Sequence, residues 1–205
     1  MSTRRLPPVH LPARLYPQRL EAGCDEVGRG CIAGPVVAAA VILPPDFDVE
    51  GVTDSKQLTS HARLELAEVI RRKALSYAIA FVTAAEIDEI NILQASFLAM
   101  TRAVEQLDVV PEHLLVDGNR FRSTLTIPYT CIVRGDASVA SIAAASILAK
   151  TARDAFMHDL HKNYPVYGWD RNVGYPTPAH LQALRKYGCS PYHRRSFGPC
   201  QPSLF

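Results

Sequence analysis

The run PVVAAAVIL at residues 35–43 carries no charge and is closed by Pro44 and Pro45. It is far shorter than the roughly 20 apolar residues that span a bilayer, so it belongs inside a globular core. Its β-branched residues and proline boundary predict a strand. Just upstream stands CDEVGRGCIAG, where the adjacent acids Asp25 and Glu26 precede an arginine framed by Gly28 and Gly30. Acids beside a glycine-framed arginine usually mark a surface turn. Here AGCDEVG itself reads as a strand, so the turn hangs from the middle of the core.

The 205 residues fit one domain, and 48% hydrophobic against 20% charged residues is an ordinary globular balance. A net charge of +2 means that any affinity for a polyanion comes from local patches. Residues 1–20 hold Arg4, Arg5, Arg14 and Arg19 without an acid, and Arg185, Lys186, Arg194 and Arg195 form a second basic region. The five cysteines show no metal-ligand spacing and read as free thiols in a reducing compartment. The N-terminus is broken by Pro7, Pro8, Pro12 and Pro17 and has no apolar secretory run. A soluble, cytoplasmic protein without a membrane partner is expected.

Residues 1–20 read as an irregular arm, 21–197 as the folded unit and 198–205 as a tail. Thr59 or Ser60 caps a helix over HARLELAEVIRRKAL, in which Leu64, Ala67, Ile70 and Ala74 recur at helical spacing. SYAIAFVT is a strand, AAEIDEI a short helix and ILQASFLAMTRAVEQL a longer one. HLLVDGN and TIPYTCIVRGD are strands ending at Asp117 and near Asp136. SVASIAAASILAKTARDAFMHDLHK is a long helix whose alanines permit close packing, and TPAHLQALRKYG is a last helix closed by glycine. This order predicts an α/β fold, a mixed central sheet flanked by helices with a C-terminal helical extension.

Asp25 lies within an apolar strand, while Asp117 and Asp136 close two others. Carboxylates buried there need a positive partner, and several converging at one place suit a hard divalent cation, Mg²⁺ or Mn²⁺. Ordinary turn formation by Asp before glycine remains open on this pattern alone. Neighbouring strand residues face opposite sides, so the strand is predicted to end or bulge at Glu26 if both acids are to serve one site. Asp154, His158 and His161 share a helix face, but Lys150, Arg153 and Lys162 on that helix favour a solvated charged surface. Ser141 and Ser146 lack a nucleophile elbow, and GRG lacks the dinucleotide fingerprint.

CDEVGRGCIAGPVVAAAVIL, DSKQLT, LLVDGN, RGDASVASIAAASILAKTARD, NVGYPTPAH and HRRSF, taken in this order, resemble bacterial ribonuclease HII over roughly residues 21–197. The resemblance implies a ribonuclease H-like sheet and four active-site acids, Asp25, Glu26, Asp117 and Asp136, holding Mn²⁺ or Mg²⁺. It implies hydrolysis of the RNA strand of RNA–DNA hybrids and nicking beside single ribonucleotides in duplex DNA, leaving 3′-hydroxyl and 5′-phosphate ends. It further implies that Gly28, Arg29 and Gly30 contact the ribose 2′-hydroxyl through the main chain, and that Tyr175 reads the same group. The chain departs from the family at Val173, where lysine is common, and at Pro176, where glycine is common. The first removes a phosphate contact; the second stiffens the loop.

Lys56, Arg194 and Arg195 are candidates for gripping the phosphate backbone. The final QPSLF resembles the peptide by which bacterial repair proteins dock on the sliding clamp, through Gln201, Leu204 and Phe205. A monomer is expected. Two rival readings stay open: a metal nuclease that ignores single ribonucleotides, and a hybrid-binding module whose acids hold a structural ion.

Overall fold

The computed structural model describes residues 11–48, 52 and 58–201. Lys56, Leu204 and Phe205 lie outside the described residues. The sheet has five strands: β1 (Glu21–Val27), β2 (Val36–Ile42), β3 (Ser76–Val82), β4 (His113–Asp117) and β5 (Tyr129–Ile132), in the order β3-β2-β1-β4-β5. β1, β2 and β3 pair antiparallel, whereas β4 joins β1 and β5 joins β4 in parallel. This is the expected mixed α/β sheet.

The apolar run becomes β2 because helices cover both faces of the sheet, so neither phase of the strand alternation can be polar. Val36, Ala38, Ala40 and Ile42 pack towards α2 (Ala84–Glu105). Val37, Ala39 and Val41 pack towards α1 (Ser60–Lys73) and α3 (Ala140–Asn163). Alanines 143, 144, 145 and 149 of α3 are fully buried there. Gly23 brings that helix closer still, since a Cβ on it would stand 2.2 Å from the backbone carbon of Ser141.

Thr59 caps α1 by accepting the Ala62 N–H. On that helix Ala67 and Ile70 are buried, but Leu64 is 55% exposed and Arg63 is buried in its place. The guanidinium turns inward because Asp154 of α3 pairs with it at 3.4 Å. Lys150 holds the same carboxylate at 2.7 Å, so Asp154 belongs to an ion-pair cluster. α2 is interrupted at Asn91, whose φ of 66° breaks the ladder. The Asn91 side chain then accepts the N–H groups of Leu93 and Gln94 and restarts the helix, which separates the short and long segments expected there.

β5 stops at Ile132, and Asp136 lies in a following 3₁₀ turn, Gly135–Ala137, rather than on the strand. Residues 11–20 form neither helix nor strand, but Pro12 accepts the Ala140 N–H at the start of α3. The short α4 (Trp169–Asn172) and α5 (Pro178–Tyr187) complete the C-terminal extension. Thr177 caps α5, and Gly188 closes it. No helix among the described residues is long and apolar enough to cross a membrane.

Candidate active site

Parallel pairing of β1 with β4 brings Asp25 and Asp117 to the same end of adjacent strands, one step beyond the Cys24–Val116 pair. The Asp117 carboxylate accepts the Gly135 N–H at 2.7 Å and so fixes the turn that carries Asp136. Asp136 is buried, 6% exposed. Four acids from three segments, Asp25 and Glu26 on β1, Asp117 on β4 and Asp136 in the turn after β5, thus lie at the carboxyl ends of these strands. Their order along the chain gives no hint of how close the sheet brings them.

The strand neither ends nor bulges at Glu26, contrary to the sequence-based expectation. β1 stays in unbroken register with β2 through Glu26–Ala38 and Val27–Val37. Asp25 is on the α3 side, where Ser146 hydrogen-bonds it, and its Oδ1 accepts the Glu26 N–H at 2.7 Å. Glu26 is on the other side and shares a cleft with Asp117, Asn119 and Arg120. No bulge is required because β4 ends beside Asp25, leaving the strand edge open to both carboxylates.

Burial is the main force pushing the Asp25 carboxyl well above its usual range, and the charges of Glu26 and Asp117 add to it. Glu26 is also raised by burial and by Asp117, while Arg29 opposes the shift through an ion pair at 3.2 Å. Among the described residues, Arg29 is the one side-chain cation paired with Asp25, Glu26 or Asp117. The donors are all carboxylate oxygens with excess negative charge, the chemistry that fits Mg²⁺ or Mn²⁺. Among the described residues, no three His, Cys, Asp or Glu side chains stand close enough together to hold a metal ion by themselves.

Beyond Val27 the chain makes a β-turn closed by Cys31 N–H donating to Gly28 C=O at 3.3 Å. Gly28 has φ +95°, and a Cβ there would strike Arg153 Nε at 2.2 Å. Gly30 is not required by space: a Cβ there would meet Tyr175 Cε1 at 3.9 Å, an ordinary contact. Tyr175, 41% exposed, therefore stands beside the turn, and its loop is joined there by Ile32 N–H donating to Gly174 C=O at 2.9 Å.

Two histidines hold that loop from below. Trp169 Nε1–H donates to His180 Nε2, so the ring proton of His180 sits on Nδ1 and is given to Tyr175 C=O at 2.8 Å. His193 accepts the Ser190 N–H on Nδ1 and turns Nε2–H towards His180. Burial lowers His180, and lowers His193 to about 4, with the neighbouring His180 adding to the latter shift.

The expected phosphate contact by Arg194 is corrected: the side chain is fully buried and donates to the carbonyls of Gly28, Arg29 and Gly34. Arg195 is exposed, and its N–H is held by Asp88. Gln201 follows a 3₁₀ turn and donates to Ser196 C=O. Sequence reasoning put Arg153 on a solvated face, although it is fully buried, weighed Ser146 only as a nucleophile, and missed Arg120 and Arg122. The last two line the cleft that runs from Glu26 past Phe97 to Tyr129. Their position directly after VDGN was the available signal.

A mixed five-stranded sheet with acids gathered at its strand ends defines a nuclease of the ribonuclease H type. The chain belongs to the Ribonuclease HII family, whose profile matches residues 22–200. It is 60% identical over 178 residues to Ribonuclease HII of Phocaeicola vulgatus, covering 87% of this chain and 89% of the relative. Among solved structures it resembles the ribonuclease H2 of Pyrococcus horikoshii, with TM-score 0.73, 27% identity, and coverage of 88% and 94%. It also resembles the ribonuclease HII in the PCNA:RNase HII complex from Archaeoglobus fulgidus, with TM-score 0.67, 25% identity, and coverage of 90% and 98%.

Proposed function

We propose that this endoribonuclease, beyond hydrolysing the RNA strand of RNA–DNA hybrids as its family does, nicks duplex DNA on the 5′ side of single embedded ribonucleotides. The products carry 3′-hydroxyl and 5′-phosphate ends. The observation that carries this reading is the adjacency of two sites on one strand: the acids at Asp25 and Glu26, and the turn at Gly28–Gly30 beside Tyr175. Placed together, they let the chain recognise one 2′-hydroxyl and cleave next to it, because that group alone separates a ribonucleotide from its deoxy neighbours.

Asp25, Glu26, Asp117 and Asp136 would hold the divalent cations, Mn²⁺ or Mg²⁺. When bound, such ions lower the pKa of water and neutralise charge at a phosphodiester. The chain's own part is to keep the carboxylates in place: Ser146 and the Glu26 N–H fix Asp25, and the Gly135 N–H fixes Asp117. Arg29 balances Glu26 until a cation does. Tyr175 offers its phenol beside the turn, and Arg120, Arg122 and Arg195 supply positive charge for the nucleic-acid backbone, as does Lys56 from outside the described residues. All four acids belong to one chain, and the protein acts as a monomer on this reading. The five free cysteines suit the cytoplasm.

QPSLF supports a second contact, with the sliding clamp, through Gln201, Leu204 and Phe205. The archaeal relative seen bound to PCNA favours such a contact. Deleting residues 201–205 should abolish capture by the clamp; unchanged capture would exclude the tail.

The reading is tested with a labelled duplex carrying one ribonucleotide, incubated with Mg²⁺ or Mn²⁺, with chelator, and beside an all-DNA duplex. A metal-dependent nick 5′ of the ribonucleotide is expected. Cleavage of long hybrid alone would instead favour the nuclease that ignores single ribonucleotides.

A further inference from the structure

Arg194 and Arg153 are both completely buried, and among the described residues neither forms an ion pair. Each side chain raises the other's cost, since Arg153 is one of the charges that lower Arg194 to about 10, behind the larger effect of burial. Buried guanidinium groups without carboxylate partners are expensive unless hydrogen bonds compensate. Here the hydrogen bonds go to backbone carbonyls, and Arg194 also lies over the Phe197 ring at 5.2 Å. Arg194 donates to Gly28 (2.8 Å), Arg29 (3.0 Å) and Gly34 (3.0 Å). Arg153 donates to Pro35 (3.0 Å), Ala33 (3.1 Å) and Val173 (2.8 Å). Together they grip the segment from Gly28 to Pro35 from its core side, and Arg153 joins it to the Tyr175 loop.

In a trans peptide the C=O and the next N–H point in opposite directions, and every peptide described here is trans. Drawing the Gly28 and Arg29 carbonyls into the core therefore turns the N–H groups of Arg29 and Gly30 outward. Both residues are exposed, and among the described residues neither N–H has a partner. They form two adjacent donors beside Tyr175, aimed away from the core.

We propose that Arg194 is a positioning residue for ribonucleotide recognition: its guanidinium fork sets the two outward N–H groups that discriminate ribose from deoxyribose. This rests on the ribonucleotide reading above. Lysine cannot replace the fork, because one ammonium lacks the planar set of donors that reaches three carbonyls at once.

The test compares Arg194 with Arg194→Lys, both in the Asp25→Asn background so that substrate is bound and not cut. The quantity read is the Kd for an all-DNA duplex divided by the Kd for the same duplex with one ribonucleotide. In Arg194→Lys this ratio should fall by about tenfold or more, with cooperative melting kept and all-DNA affinity little changed. An unchanged ratio in a folded variant overturns the proposal alone. A ratio near one before Arg194 is altered overturns both the proposal and the ribonucleotide reading. Should Arg194→Lys fail to fold, amide exchange in the otherwise unaltered Asp25→Asn protein decides. The Arg29 and Gly30 N–H groups should exchange fast when free and become protected by the ribonucleotide duplex but not by all-DNA duplex. Protection in the free protein, or equal protection by both duplexes, overturns it.

Discussion

The carboxylate of Asp117 accepts the backbone N–H of Gly135 at 2.7 Å, so the acid at the end of β4 also holds the turn that presents Asp136. The turn has no spare room: a Cβ at Gly135 would meet Ile142 Cδ1 at 2.5 Å and Asp117 Oδ1 at 3.4 Å. Gly135→Ala should therefore destabilise the fold by about 1–3 kcal/mol and lower cleavage beyond what the lost folded fraction explains. Denaturant unfolding beside cleavage rates at saturating substrate would show this. Wild-type turnover in Gly135→Ala would mean that the turn is free to move.

Gly23 predicts a larger loss. Its missing Cβ admits the backbone of Ser141 itself, which cannot move without shifting all of α3. Gly23→Ala should lose more stability than Gly135→Ala, where the nearest atom ends a flexible Ile142 side chain. Thermal melting of the two variants side by side is sufficient to rank them.

The buried histidines set an acid limit. His193 falls to about 4 in the fold, from an ordinary value near 6.5. Between those values the unfolded chain binds a proton that the folded chain does not, so stability rises with pH. The contribution is complete above about pH 6.5 and is lost as pH falls towards 4. Melting temperature should drop across that window, and His193→Gln should flatten the drop. An equally steep drop in His193→Gln would assign the effect to other groups.

Binding of nucleic acid should respond in opposite directions to two changes. Arg120 lines the cleft with Glu26 and Asp117, and on the proposed reading its charge meets a phosphate. Arg120→Ala should weaken binding and reduce the salt slope by about 1. Val173→Lys should tighten binding and raise that slope by about 1. Val173 sits at φ 41°, a left-handed conformation unusual for a β-branched residue, and its carbonyl, not its side chain, accepts from Arg153. Titrations at several salt concentrations would measure both slopes.

How much of this was legible beforehand depends on how local each feature is. β2 was readable because a strand covered on both faces must be apolar throughout. Asp25 and Asp117 stood out because an acid in such company needs a reason. Glu26 was misjudged: a bulge was expected, yet the end of β4 opens the sheet without one. Leu64 is exposed where its spacing predicts burial, and Arg63 is buried because Asp154, far along the chain, draws the charge inward. Arg194 read as a surface cation for the same reason in reverse. Its partners, Gly28 and Arg29, lie more than 160 residues away, and backbone carbonyls leave no mark in the sequence that a buried arginine will seek them.

The central claim is that the acids at the strand ends carry out cleavage and that the turn beside them reads the ribonucleotide. The most direct measurement is cleavage and binding of a single-ribonucleotide duplex by Asp25→Asn, with Mg²⁺ or Mn²⁺ present. Cleavage should fall by about 10³-fold or more, while the variant still binds that duplex more tightly than all-DNA duplex. Cleavage at the wild-type rate, or binding that no longer distinguishes the two duplexes, would contradict it.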